Sequence, residues 1–424
     1  MRRVVVTGLG AVSAYGRGVE PFWQGILAGR SAVRPITVFD VSPFRSGLGA
    51  PVPEELTNAS DLRAHFGEPH EDATFYACLA VDEALQDANL PADLSARTPA
   101  VGCAVGTLCA GGRNIEAAER AIRTLSEECL ERDDALTRAN TMLIDYQLDT
   151  LCDRFGMTGP STLISTACSS GTDAIGWGFD AIRSGECDMV VVAGGDIISE
   201  VIHAGFNSVF SITQTVPRPF DRDRTGFVIG EGAGALVLED WDAAKRRGAR
   251  VRAEILGYGL SNSAYHLTAP SKDGSGESLA MRRAMDEAGL RPEQIDFVNA
   301  HGTATAHNDR SEILALAALF GELAPSVSVT SIKSMIGHCM GAAGLIEAVS
   351  TVLSLETGWM PPTINFQAPD DVNRFDMVAN TARRRSIRHA LSNSFGFAGH
   401  NSCVAMGRAP EAGGPASNHR GAGR

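Results

Sequence analysis

The sequence is short of positive charge. Its 37 lysines and arginines face 50 aspartates and glutamates, which gives a net charge of −13. This sign opposes electrostatic capture of a phosphate backbone or of an anionic lipid surface, so we expect neither nucleic acid nor a membrane as a partner. No stretch approaches the roughly 18 uninterrupted apolar residues that a membrane-spanning helix needs.

Paired cysteine motifs are also missing. The nine cysteines include no Cys-x-x-Cys pair, so the sequence indicates neither a disulfide framework nor a zinc cluster. This pattern is typical of the reducing cytoplasm. Arg2 and Arg3 precede an apolar stretch that could pass for a short signal peptide, but glycines interrupt it.

The start of the chain lacks a complete dinucleotide-binding motif. Residues 4–6 are all valine and predict a buried strand that enters a tight glycine turn at Gly8 and Gly10. Ser13 stands where a GxGxxG motif needs its third glycine. We therefore interpret the segment as structural.

Strand-like and helical patterns alternate along the rest of the chain. Apolar runs at 189–193 and 233–238 predict strands, and the spacing at 73–88 predicts a helix. The alternation restarts near residue 250, which predicts two α/β halves, residues 1–250 and 251–408. Residues 409–424 are rich in Gly, Ala, Pro and Arg and predict a disordered tail.

Cys168 lies between a predicted strand and a predicted helix, within the sequence Thr-Ala-Cys-Ser-Ser-Gly at 166–171. A sulfur near a helix N-terminus meets the helix dipole and free N–H groups, which favour the thiolate. The small neighbouring residues would let a substrate carbonyl approach. Most cysteines are nevertheless inert core residues, so this position alone does not establish a nucleophile.

Two histidines strengthen that hypothesis. His301 follows one predicted strand and His338 follows another at 327–331. Strand-end loops are where open α/β folds gather catalytic groups. A metal site is disfavoured, because the pair lacks helical ligand spacing and a carboxylate ligand pattern.

Taken together, these segments resemble a known family, the β-ketoacyl-acyl carrier protein synthases of the thiolase superfamily, and in particular its elongating type II ketosynthases. The resemblance runs from Val4 to about Gly407. Its motifs lie at residues 166–171, 219–234, 299–305, 333–344 and 393–397.

The resemblance implies an α/β thiolase fold, in which two similar βαβαβαββ halves form a five-layer α/β/α/β/α sandwich, usually as a dimer. It also implies decarboxylative condensation. A cysteine takes an acyl chain from the phosphopantetheine arm of an acyl carrier protein, and two histidines assist decarboxylation of a bound malonyl group. The arm belongs to the substrate, so we expect no further cofactor and no metal.

The resemblance also assigns site residues. Expected in catalysis are Cys168, His301, His338, Lys333, Glu312 and Phe397. Lys333 and Glu312 match a buried ion pair that orients His301, and Phe397 matches an aromatic gate whose N–H shares an oxyanion hole with that of Cys168. Expected in substrate binding are Thr303 and Thr305, which match hydroxyls on the arm, and the pocket residues Cys109, Phe206 and Phe395.

The sequence departs from the family in several places. The gate reads Gly-Phe-Ala-Gly-His-Asn at 396–401 instead of Gly-Phe-Gly-Gly-Thr-Asn, and Phe210 replaces a usual arginine. These changes favour a specialised polyketide or polyene pathway. Housekeeping fatty-acid elongation stays open as an alternative. A non-catalytic chain-length factor would normally lack the nucleophile, and a degradative thiolase would carry a second cysteine that is unmatched here.

Carrier proteins are acidic, which raises a question about docking. The region from Leu62 to Asp72 keeps Arg63 but adds Glu68, Glu71 and Asp72. An acidic chain repels an acidic carrier unless a basic patch or a second subunit compensates. We therefore expect either a heterodimer with a ketosynthase-like chain-length factor or a homodimer that uses other arginines.

Overall fold

The computed structural model describes residues 1–66, 71–110, 112–116 and 141–409. The expected tail, apart from Ala409, lies outside the described residues, and so does Glu68. Within the described part, no helix is both long and apolar enough to cross a membrane.

The described strands vary from two to ten residues. In chain order they are β1 Val4–Ser13, β2 Gly16–Arg17, β3 Arg34–Pro35, β4 Leu48–Ala50, β5 Gly102–Gly106, β6 Ser161–Ile164, β7 Met189–Asp196, β8 Ile229–Gly230, β9 Gly232–Asp240, β10 Ala253–Asn262, β11 Phe297–Asn299, β12 Ser328–Thr330, β13 Trp359–Met360, β14 Asp376–Met377, β15 Arg383–Arg384, β16 His389–Phe395 and β17 His400–Arg408.

The helices include long packed ones and short connecting turns. The α-helices are α1 Val19–Leu27, α2 Glu54–Thr57, α3 Ser60–His65, α4 Asp72–Asp87, α5 Tyr146–Phe155, α6 Ser170–Ser184, α7 Glu200–Ser208, α8 Trp241–Arg246, α9 Ser275–Ala288, α10 Ala306–Phe320, α11 Lys333–Ile336 and α12 Ala343–Thr357. Residues 112–116 are also helical. The 3₁₀ turns are Ala167–Ser169, Pro292–Gln294, Gly321–Ser326, Met340–Ala342 and Phe397–Gly399.

The main sheet repeats one topology twice. The first half contributes strands in the order β6-β5-β7-β9-β1, and the second half contributes β12-β11-β16-β17-β10. In each half the first two pairings are parallel and the last two antiparallel. The halves meet where β1 pairs antiparallel with β10, with Val4 opposite Ile255. We therefore propose residue 250 as the boundary between two structural halves.

Helices cover both faces of this sheet. The central helices α6 and α12 pack against each other and against strands of both halves, whereas α4 covers β1, β7 and β9, and α9 covers β10 and β17. Almost every residue of α12 is buried, because a helix that packs between the two halves of the sheet needs apolar residues all round. This is the expected five-layer arrangement.

The predicted helix at 73–88 is confirmed as α4, and the predicted strands at 189–193 and 233–238 are confirmed within β7 and β9. The predicted glycine turn is wrong. The strand β1 continues through Gly8 and Gly10 to Ser13, and a Cβ on Gly8 would lie 2.9 Å from the Ala88 Cβ. The glycines therefore let α4 approach the sheet closely.

Candidate active site

Cys168 lies in a 3₁₀ turn, Ala167–Ser169, that joins the end of β6 to the central helix α6. The hydroxyl of Ser170 donates to the Ala167 carbonyl at 2.6 Å and accepts from the Thr166 N–H at 3.0 Å. Ala167 has φ +56°, a left-handed conformation that costs free energy outside glycine. The chain holds a strained turn at the predicted nucleophile.

The nucleophile turn is tied to the second half of the chain through Asp173. This carboxylate accepts from the hydroxyls of Ser169 at 3.0 Å and Tyr258 at 2.7 Å, and also from those of Thr166 and Ser402. Four hydroxyl donors from three segments fix the turn relative to β10 and β17.

Both predicted histidines lie beside Cys168. The Cys168 Sγ and one ring nitrogen from each of His301 and His338 lie within 4.8 Å of one another, and all three residues are buried. The two imidazole rings are 5.3 Å apart between centroids and nearly perpendicular. Sequence reasoning found these residues, and the structure brings them together.

The hydrogen bonds of the two rings define their tautomers. The Nδ1 of His338 accepts the Met340 N–H at 3.1 Å, and the Nδ1 of His301 accepts from the Lys333 Nζ at 3.4 Å. In each ring the proton therefore lies on Nε2. The Nε2 of His338 is buried and bonds no described group, so its N–H is free to donate.

Burial sets the ionisation of all three groups. It lowers the pKa of His301 and of His338 well below 6.5, and the cation of Lys333 lowers both further. Burial also raises the pKa of the Cys168 thiol to about 12, although Lys333 opposes this shift. Desolvation thus opposes the thiolate that the helix N-terminus is expected to favour.

The predicted pairing of Lys333 with Glu312 is also wrong. The Lys333 Nζ bonds the carboxylate of Glu347, and both side chains are almost fully buried. Burial raises the pKa of Glu347 to about 7, and Lys333 opposes the rise. Glu347 was missed in the sequence, although a carboxylate in the buried part of the apolar helix α12 signals a buried partner.

Glu312 instead organises the His301 loop. Its two carboxylate oxygens accept the backbone N–H groups of His301 at 2.9 Å and Gly302 at 2.8 Å, and one also accepts from the Asn393 amide at 3.2 Å. The carboxylate thus fixes the backbone that carries His301. It acts on position and makes no ion pair with Lys333 among the described residues.

Asp196, at the end of β7, was also missed. It accepts N–H groups from Leu108 at 3.0 Å, Cys109 at 3.0 Å and Ala342 at 3.1 Å. These donors come from the loop after β5 and from the turn before α12. One buried carboxylate therefore joins loops of the two halves next to the site.

A cavity of about 440 Å³ opens onto Cys168, His301 and His338. Its wall also includes the two predicted arm-binding hydroxyls, Thr303 and Thr305, whose oxygens lie 3.0 Å apart. Among the described residues that line it, none is Asp, Glu, Lys or Arg. An anionic substrate group would therefore meet neutral polar and aromatic side chains there.

Three predicted aromatic residues line the same cavity: Phe206, Phe395 and Phe397. The Phe395 ring lies 5.8 Å from that of His301, and the Phe206 ring lies 5.7 Å from that of Phe397. Phe206 and Phe397 also line a second, largely apolar cavity of about 430 Å³. This pair therefore separates the reactive groups from an apolar compartment.

Cys109 lines neither cavity, whereas its neighbour Leu108 lines the apolar one. The assignment of Cys109 to an acyl pocket is therefore not confirmed by these two cavities and stays a prediction. The N–H groups of both residues bond Asp196.

The gate loop lies against the nucleophile turn. A Cβ on Gly396 would lie 3.0 Å from the Thr166 carbonyl oxygen and 3.3 Å from the Cys168 nitrogen, so a side chain there would crowd the nucleophile turn. Phe397 follows Gly396 directly. Ala398 has φ +59° and Ala304, after His301 and Thr303, has φ +64°. Strained non-glycine residues thus recur beside the site residues.

Comparison with known proteins identifies the family. Residues 1–244 match the model of the beta-ketoacyl synthase N-terminal domain, and residues 252–367 match that of its C-terminal domain. The 3-oxoacyl-[acyl-carrier-protein] synthase 2 of Staphylococcus aureus (strain COL) is 36% identical over 95% of this chain and 97% of its own.

One further curated protein and one solved structure are also similar to this chain. A protein of Streptomyces violaceoruber named as a granaticin polyketide beta-ketoacyl synthase is 37% identical over 97% of this chain and 99% of its own. The solved ishigamide ketosynthase/chain length factor superposes with a TM-score of 0.88 and 37% identity, covering 96% of this chain and 100% of that one. This chain therefore belongs to the β-ketoacyl synthase family and has its thiolase fold.

Proposed function

We propose that this ketosynthase condenses an acyl group held on Cys168 with malonyl-acyl carrier protein. The observation that carries the proposal is the convergence of the Cys168 sulfur with two imidazole rings at one cavity. A thiol supplies the nucleophile, and two neutral N–H donors supply stabilisation for a developing negative charge.

The first half-reaction moves the acyl chain from the carrier's arm to Cys168. The sulfur attacks the thioester carbon, and the N–H groups of Cys168 and Phe397 stabilise the oxyanion. Cys168 loses a proton and the departing arm thiolate gains one, so the exchange consumes no base overall. The protonated resting thiol therefore suits a site that reacts only when a thioester is bound.

The second half-reaction begins with loss of CO₂ from the malonyl thioester. The rings of Phe395, Phe397 and Phe227 surround the site, and the Phe227 ring lies 5.2 Å from that of His338. A carboxylate there loses its hydration and gains no fixed cation, which favours decarboxylation. The Nε2–H groups of His301 and His338 stabilise the enolate oxygen that results.

Carbon–carbon bond formation completes the reaction. The enolate carbon attacks the acyl thioester on Cys168, and the oxyanion hole stabilises the tetrahedral intermediate. This intermediate collapses to a β-ketoacyl thioester on the carrier and releases the Cys168 sulfur, which takes a proton. CO₂ is the only other product.

Intact-protein mass spectrometry with acyl-carrier protein tests the proposal. The wild type should gain one acyl group, and Cys168→Ala should gain none while keeping its fold by circular dichroism. Cys152→Ala is the matched control, because Cys152 is a half-buried cysteine on α5 away from the cavity lining. An adduct of equal occupancy on Cys168→Ala would contradict the assignment.

The roles of the histidines are tested by separating the half-reactions. His301→Ala and His338→Ala should reduce CO₂ release from malonyl-carrier protein by at least about 100-fold, and they should affect acylation of Cys168 less. If both variants lose acylation and keep decarboxylation, the roles are reversed.

We infer a specialised polyketide or polyene pathway, with housekeeping fatty-acid elongation as the second candidate. The inference rests on Phe210 and on the altered gate at 396–401, because the identities of 36% and 37% to the two kinds of relative do not separate them. Restoration of growth in a strain that lacks the elongating synthase would favour the second candidate.

We also infer that the chain works with an acyl carrier protein and as a dimer, either with a second copy or with a ketosynthase-like chain. Arg63 is already engaged within the chain, since it pairs with Asp72 and stacks over Phe75. Native mass spectrometry of the chain alone and after co-expression with a neighbouring ketosynthase-like gene distinguishes the two. A fully active homodimer that no partner improves would exclude the heterodimer.

A further inference from the structure

Phe210 has a conformation that is costly for its residue type. It follows the end of α7, has φ +57°, and is 71% exposed although it lines the reactive cavity. Glycine is preferred at this position after a helix, and a bulky residue there is a genuine outlier. An exposed aromatic ring gains little from burial. The retained side chain therefore points to a function at the cavity entrance.

The Phe210 ring carries a cation. The Arg45 guanidinium carbon lies 4.7 Å from the centre of the ring. The backbone of Arg45 is held from the same segment, because its N–H donates to the Asn207 side chain at 3.0 Å and its carbonyl accepts from the Gln214 amide at 3.0 Å. Arg45 is thus fixed over Phe210 by three separate contacts.

The Arg45 guanidinium forms no ion pair with any carboxylate of the described residues. Stacking on an aromatic ring uses the face of the guanidinium and leaves its N–H donors in the plane of the group. Those donors match the oxygens of a phosphate in bidentate geometry.

The cavity itself offers an anion no formal positive charge among its described lining residues. Lys272 lies two residues beyond the lining residue Pro270, but no described group holds its side chain. Arg224 donates to the carbonyls of the lining residues Thr305 and Ala306, but it is paired with Asp309 and Asp370. Arg45 is therefore a cation that contacts a lining residue and has no carboxylate partner among the described residues.

We propose that Arg45, stacked on Phe210, binds the phosphodiester of the phosphopantetheine arm as the arm enters the cavity. The inference rests on the proposed function, which makes that arm the substrate's handle.

The test uses two thioesters of the same acyl group, one on phosphopantetheine and one on pantetheine without phosphate. For each, kcat/KM for acylation of Cys168 is measured by time-resolved mass spectrometry, and the ratio of the two values reports phosphate recognition. Arg45→Gln should lower this ratio about tenfold, the loss typical of a charge-assisted hydrogen bond. Arg45→Lys should retain part of it.

Phe210→Gly separates recognition from folding. It removes the ring and relieves the left-handed strain, so the ratio should fall as in Arg45→Gln while the melting temperature holds or rises. Lys272→Gln is the matched control, because it removes an exposed cation near the same entrance and should leave the ratio unchanged.

Three outcomes would overturn the proposal. One is an unchanged ratio in Arg45→Gln. Another is an equal fall of the ratio in Lys272→Gln, which would mean that any positive charge near the entrance attracts the phosphate and that Arg45 does not bind it specifically. The third is a loss confined to carrier-borne substrate, which would mean that Arg45 contacts the carrier itself. If wild-type Cys168 takes no acyl group from either thioester or from the carrier, the proposed function fails, and this proposal fails with it.

Discussion

The two halves of the chain build the same turn and use it differently. Counted along the chain, β6 is the third strand that the first half contributes to the main sheet, and it leads to the 3₁₀ turn Ala167–Ser169 and then to α6. The third such strand of the second half is β12, which leads through α11 to the 3₁₀ turn Met340–Ala342 and then to α12. The first residue of each turn is left-handed, with φ +56° at Ala167 and +52° at Met340.

The two turns differ at their second residue. It is Cys168 in the nucleophile turn and Gly341 in its counterpart. A Cβ on Gly341 would lie 2.5 Å from the Thr107 carbonyl carbon and 2.9 Å from an Asp196 oxygen. One copy of the turn therefore exposes a side chain to substrate, and the other packs its bare backbone against the first half.

The largest expected loss of stability comes from placing a cysteine side chain in the second turn, at Gly341. Gly341→Cys forces a Cβ into main-chain atoms that cannot move aside, so unfolding free energy should fall by at least about 4 kcal/mol. Chemical denaturation measures it. Cys168→Gly empties the equivalent position and should cost only about 1 kcal/mol, which is the control.

If Gly341→Cys does not fold, Gly341→Ala gives a measurable step in the same direction. Equal stability losses at the two positions would contradict the proposed division, because both turns would then tolerate a side chain alike.

The contrast shows what sequence could predict. Cys168, His301 and His338 follow from motifs because strand-end loops carry chemistry, and the division into two α/β halves follows from the alternation that restarts near residue 250, whereas the repeated strand order is seen only in the structure. The Lys333–Glu347 pair and the role of Asp196 do not follow. Their partners come from other elements, and a local pattern does not encode which buried carboxylate a cation reaches.

The next largest loss of unfolding free energy is expected when the Lys333–Glu347 pair is broken. Lys333→Met leaves the buried Glu347 carboxyl without its cation and should cost about 3 kcal/mol at a pH well above 7, where the wild-type carboxylate is ionised. The paired Glu347 already has a pKa raised to about 7 from 4.5, and losing the cation raises it further. The folded variant therefore holds a proton that the unfolded chain releases.

That proton fixes the sign of the pH dependence. A raised acid pKa in the folded state means that stability falls as pH rises above 4.5, by about 1.4 kcal/mol per pH unit until the folded pKa is reached. The wild type has the same slope up to its own Glu347 pKa of about 7, so the extra loss in Lys333→Met should be small below about pH 7 and grow above it. Adding Glu347→Gln should remove the slope, and a slope that persists would place it elsewhere.

A smaller effect concerns the pH profile of decarboxylation. The cation of Lys333 helps lower the pKa of His301 and His338, so the wild-type rate should show no inflection near 6.5. Lys333→Met removes that cation, so the pKa of each ring rises and the lower inflection of the rate should move upward. The rate falls below this inflection because a protonated ring cannot accept the hydrogen bond at Nδ1 that orients it. Stopped-flow measurement of CO₂ release checks this. An unchanged profile would mean that desolvation alone holds both rings neutral.

The smallest effect tests the strain that the two turns share. Ala167→Gly replaces a half-buried methyl in a left-handed position, where glycine is favoured, so unfolding free energy should rise by up to about 1 kcal/mol. The control is Ala174→Gly in the buried middle of α6, which should lower it by about 1 kcal/mol. Thermal unfolding of both variants measures the opposite signs. If Ala167→Gly is as destabilising as Ala174→Gly, the nucleophile turn is unstrained, and the left-handed residue before Cys168 needs an explanation other than strain held in place for catalysis.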